Sequence, residues 1–135
     1  MTLLVPNVGE NITLSYLVNK VTTPENLVYR LYATNVTPAE TDTAATYTEA
    51  AGGGYSSKTL AGASWTITNG NPTSAAFAQQ AYTFTGPLTT NLTLFGYYVV
   101  RASSLDLVLA ELFSSTFTPN NNGDQVLLTP QITCE

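Results

Sequence analysis

Four Lys and Arg and nine Asp and Glu are all the charge this 135-residue chain carries, so few side chains are open to ionic or proton-transfer chemistry. Arg30 and Arg101 stand out because each lies inside an apolar run, LVYRLY and GYYVVRA. A guanidinium in such a run has to be paired or lie at an edge; a carboxylate such as Glu111 on a neighbouring strand would serve, and a contact between subunits is the alternative. Glycosidic chemistry needs two facing carboxylates, but Asp106 and Glu111 are five positions apart and point to opposite sides of one strand. The NNNGD run ending at Asp124 has its Gly in the wrong place for a calcium loop and no following Glu at the right distance, so it reads as a turn. Three Asn-x-Thr triplets, at Asn11, Asn35 and Asn91, are about what chance yields from 11 Asn and 32 Ser plus Thr.

Absences exclude more. The chain has no His and one Cys, Cys134, which rules out His-based triads, His-ligated zinc and an internal disulfide. No metal or cofactor is expected. A net charge of −5 speaks against nucleic acid, whose phosphates need a cationic footprint. The opening MTLLVPN lacks the basic and apolar segments of a secretory signal, and no apolar run approaches the ~18 residues of a membrane span. A soluble product made in a cytoplasm is the expectation, with Cys134 an idle thiol. Charged residues are 10% of the chain where about 25% is usual, and 23 Thr, 11 Asn and 9 Ser supply most of the hydrophilic surface instead.

The elements that must position these residues are mostly short and β-rich. Leu14, Leu17, Val18 and Val21 make a helical stripe, with Asn7 as cap, Glu10 as its reciprocal partner and Thr22-Thr23-Pro24 as stop, which predicts a helix over 8–20. Strands are expected at Leu27–Ala33, weakly at Tyr55–Leu60 and Ser64–Thr68, then at Ala76–Thr85, Leu92–Ala102 and Leu105–Phe113. A final strand runs through Val126, Leu128 and Ile132, with Pro130 marking an edge or bulge. Residues 34–54 read as a long polar loop with one edge strand near 45–49, a loop that is functional or ordered by a partner. Tyr97 and Tyr98 are adjacent on a strand, so one should fill the core and the other face outward, as suits an interface. The expected fold is mainly β: one domain over 1–135, an antiparallel β-sandwich of about seven or eight strands across 27–133, with a short N-terminal helix.

A neutral exterior avoids the cost of desolvating charges when surfaces meet, which permits close contact with a lattice or with other copies. The opening MTLLVPNVGE with its helix, the GYYVVRASS stretch, the LDLVLAELF run and the closing NNGDQVLLTPQIT together resemble small structural proteins of tailed bacteriophages, including those of freshwater cyanobacterial hosts. The resemblance implies a virion component, and for a domain of this size a capsid cement or decoration protein on the outer shell. Its partner would be the major capsid protein, and it would form a homo-oligomer, a trimer by analogy with the threefold positions such proteins occupy. No nucleic acid or membrane is implied, and no catalysis. The candidate interface comprises Leu3, Leu4, Val5, Pro6, Asn7, Arg30, Tyr97, Tyr98 and Arg101, with the 34–54 loop. The alternative is a small tail or baseplate protein touching the host surface, with Tyr47, Tyr55 and Trp65 stacking on sugars. An enzyme would instead need a cleft with converging polar groups.

Overall fold

The computed structural model describes residues 4–18, 20, 24–89 and 91–134. Nine strands form around one short helix: β1 Leu27–Tyr32, β2 Lys58–Leu60, β3 Thr66–Thr68, β4 Thr73–Ala76, β5 Gln80–Thr83, β6 Leu94–Arg101, β7 Leu107–Phe117, β8 Gln125–Leu128 and β9 Gln131–Cys134, with α1 at Asn7–Leu17. All pairings are antiparallel, and the fold is mainly β and sandwich-like, as the alternating runs predict.

One sheet runs β2-β1-β6-β7. Its centre, β6, is buried on both faces, which explains why its sequence is nearly continuous in apolar residues rather than alternating. Tyr29, Leu31, Tyr97, Val99 and Leu109 face the main core, where Tyr82 and Phe84 from the β5 region and Val126 from β8 close over them. Tyr32, Tyr98, Val100, Leu107 and Ala110 face a second core on the other side.

The runs 76–85 and 125–132, expected as two continuous strands, each split in two. β4 pairs with β9 and β5 with β8, so the two ladders are successive pieces of one bent hairpin. Between Ala76↔Gln131 and Gln80↔Leu128, residues 77–79 oppose only 129–130. Pro130 has no N–H to give, while its carbonyl accepts from the Phe77 amide at 2.9 Å. The unequal count bends the hairpin there, in the manner of a bulge.

The 34–54 segment differs from expectation. It contains a 3-10 turn at Ala44–Thr46 and two isolated bridges, Glu49 to Tyr32 and Gly52 to Leu88, with no strand at 45–49. Its own chain orders it: the Ala33 amide donates to Thr48 O and the Ala50 amide to Leu31 O, each at 2.9 Å. Tyr47 stacks on Tyr98 with centroids 5.2 Å apart, and this lid makes the second core.

The helix is also repositioned. It spans Asn7–Leu17 rather than 8–20, Pro6 occupies the cap position without a side-chain hydrogen bond, and Asn7 is the first helical residue, its amide donating to Glu40 O. Val21, Thr22 and Thr23 lie outside the described residues. Gly9 is buried against β7, where a Cβ would overlap the Val108 carbonyl oxygen. That close approach fixes which side of the helix faces the sheet. Leu14, Leu17 and Val18 consequently point to solvent, contrary to the expected buried stripe.

Candidate functional site

The two arginines are paired, but not with Glu111. Arg30 meets Glu49 at 3.2 Å, with the Tyr98 phenol beside it, and Tyr55 donates to the same carboxylate at 3.0 Å. Arg101 meets Glu25 at 2.5 Å and Asp106 at 3.7 Å, and lies over the Tyr16 ring. Glu25 also accepts from the Ser103 and Ser104 amides; these bonds, with the Arg101 charge, hold its carboxyl below the usual carboxylate range. Asp124 is lowered likewise by the Asn120 and Asn121 amides, so the NNNGD run is a turn closed by its own Asp.

Glu111 takes a different partner. It is buried on the main-core side of β7, opposite Tyr97 in register, and the Tyr97 phenol donates to it. Both tyrosines at this position are interior, 8% exposed for Tyr97 and 2% for Tyr98, which corrects the expectation that one looks outward. The rule of opposite faces holds; here both faces are covered. Tyr97→Phe strands the carboxylate among apolar neighbours and is expected to lower stability by about 1–3 kcal/mol. Tyr97→Phe combined with Glu111→Leu should recover most of that loss, as replacing a whole buried polar pair is far cheaper than removing one member. Urea unfolding midpoints read both.

The N-terminal candidates are equally engaged. Leu4 exchanges backbone hydrogen bonds with Ala110 on the β7 edge, at 3.1 and 3.0 Å. Val5 packs against the main core and Pro6 is fully buried, while Asn7 is exposed; Leu3 lies outside the described residues. Of the residues considered for stacking, Tyr47 is buried, Tyr55 spends its hydroxyl on Glu49 and the Leu31 amide, and Trp65 alone lines a groove. That groove, about 260 Å³, runs between α1 and the sheet and is walled by Ile12, Tyr16, Glu25, Trp65 and Arg101.

Most of the charge is therefore paired within the chain. Glu25, Asp42, Glu49, Asp106, Glu111 and Asp124 all have partners within the chain, as do both arginines, and Lys58 sits over the Tyr82 ring. The surface left over carries few charges, Glu10, Lys20 and Glu40 among them, and exposes apolar side chains: Leu14, Leu17 and Val18 of the α1 stripe and, not singled out by sequence periodicity, Ile67 on β3, Leu92 and Leu105 in loops, and Leu127 on β8. The visible signal for the last was alternation, which sets Leu127 opposite to Val126 and Leu128. Among the described residues no His, Cys, Asp or Glu cluster is arranged for a metal, and no helix is long and apolar enough to cross a membrane. Comparison with known families, with curated proteins and with solved structures found no match to this chain.

Proposed function

We propose that the protein is a structural component of a bacteriophage virion, a cement or decoration protein that binds the outer surface of the major capsid shell and stabilises it. The observation that supports this reading is the pairing of most charges within the chain, which leaves an exterior with few unpaired charges and dotted with exposed apolar residues. Such a surface meets another with little desolvation cost, and several weak patches on one body engage neighbouring subunits together, so that avidity replaces single-site affinity. The protein works by adhering, and converts no substrate.

The test is co-sedimentation of the purified protein with phage shells that lack it. Binding that saturates at a fixed ratio to capsid subunits, resists added salt and raises the shell's melting temperature is the expected result. Absence of the protein from purified particles, or shells that do not retain it, overturns the reading.

A second reading, a tail or baseplate protein that touches host glycans, is favoured by the groove that places Trp65 and Tyr16 beside the Arg101–Glu25 pair. Trp65 is the sole tryptophan, so its fluorescence reports on that groove directly. Quenching by monosaccharides, with binding to host envelope and none to shells, would favour this second reading.

A further inference from the structure

A surface helix ordinarily turns its polar residues outward, yet α1 leaves Leu14, Leu17 and Val18 exposed to 60, 80 and 68%. Their i, i+3, i+4 spacing makes one contiguous strip on the side facing away from Gly9 and the sheet. Single exposed apolar residues need no explanation, but a contiguous strip of three calls for a partner. The strip is bordered by charges of opposite sign: Glu10 one turn before Leu14, and Lys20 just beyond Val18, both exposed. Neither belongs to an ion pair among the described residues.

We propose that this face is a self-association surface, on which the Leu14–Leu17–Val18 strip packs against the same strip of a second copy, the two helices antiparallel about a two-fold axis. The charge pattern selects a second copy in that orientation. Antiparallel packing brings Leu14 of one helix to Val18 of the other and swings each Glu10 toward the opposite Lys20. Parallel packing would set Glu10 against Glu10. An eleven-residue helix is only ~16 Å long, so the contact is smaller than the ~800 Å² per partner of a stable dimer, and the affinity is weak, with a Kd on the order of 100 µM. This surface acts independently of the capsid reading, and at the concentrations found on a lattice it would link neighbouring copies.

Sedimentation equilibrium of the full chain from about 5 µM to about 1 mM tests it. The expected result is a monomer passing to a dimer, Leu17→Asp remaining monomeric throughout with an unchanged circular dichroism spectrum, Glu10→Lys weakening the dimer about tenfold, and Glu10→Lys with Lys20→Glu restoring it. A native chain still monomeric at about 1 mM overturns the proposal, as does a dimer indifferent to Leu17→Asp, a trimer, or a charge swap that restores nothing. If the native chain stays monomeric and Leu17→Asp loses only shell binding, the strip faces the capsid and not a copy. Self-association is read without shells, so its failure and that of the capsid reading are separable.

Discussion

Raising the pH from about 9 to about 11 is expected to unfold this protein in one cooperative step. Burial raises the pKa of Tyr29, Tyr32, Tyr47, Tyr55, Tyr82, Tyr97 and Tyr98, to about 12 for Tyr32; nearby Glu111, Asp42 and Glu49 push most of them further. A phenol whose folded pKa lies above its unfolded value of about 10 contributes stability that is fully present below pH 10 and is lost as pH rises toward the folded value. At pH 11 each unfolded phenol is mostly ionised and favours unfolding by about 1.4 kcal/mol, so the six raised furthest, Tyr98 left aside, together remove about 8 kcal/mol. That is the size of a domain's whole stability. On the acid side the lowered carboxyls of Glu25 and Asp124 give the opposite sign, with stability lost as pH falls below the usual carboxylate range. With no His, the interval between should be nearly flat. Tyrosinate absorbance and circular dichroism followed together decide the matter. Phenols that ionise one by one near pH 10 while the fold persists would contradict it.

Those seven tyrosines also show where the sequence was legible and where it was not. Period-2 patterns and apolar continuity located β1, β6 and β7 within a few residues, because a strand buried on both faces has no other way to be written. The same reasoning mistook the ends of the hairpin, since the offset of residues 77–79 against 129–130 is a property of two distant segments in register. Nothing local distinguishes a bend from a straight run there except Pro130, whose missing N–H was visible and whose consequence was not.

At the candidate site the chemistry was readable and the geometry was not. That Arg30 and Arg101 must be paired followed from their apolar surroundings; that the partners are Glu49, Glu25 and Asp106 depended on loops folding back over strand ends. One of Tyr97 and Tyr98 was expected outside because the 34–54 segment, poor in apolar residues, did not look like a lid. Tyr47 was the one residue in it that could fill a second core. On α1, hydrophobic periodicity named the stripe correctly and its direction wrongly. The Gly9 contact with Val108 sets the direction by steric closeness, a criterion in which side-chain hydropathy plays no part.

Steric closeness decides a second position with a larger effect. Gly96 lies in β6 opposite Tyr32 on one side and Leu112 on the other, and an added Cβ would overlap the Glu111 backbone oxygen and the Tyr32 phenol. Neither neighbour yields cheaply. Tyr32 is fully buried with its hydroxyl donating to Val36 O, and moving the Glu111 carbonyl means displacing the strand whose Ala110 anchors Leu4. Gly96→Ala is therefore expected to cost about 3 kcal/mol or more in urea unfolding, at the upper end for overpacking. Gly62→Ala is the matched control: nothing lies within 4 Å of its added methyl, and the change should stay within about 0.5 kcal/mol. Removing the hydroxyl as well, in Gly96→Ala with Tyr32→Phe, leaves both the Tyr32 ring carbon and the Glu111 carbonyl oxygen in the way, so most of the loss should remain. A Gly96→Ala protein as stable as the native one would mean that β6 and β7 sit further apart than described. Because Gly96 is buried between the two cores, the proposed capsid role predicts that the fraction of Gly96→Ala protein that stays folded binds shells as the native protein does, whereas a loss of binding at full folding would implicate β6 itself in that proposed contact.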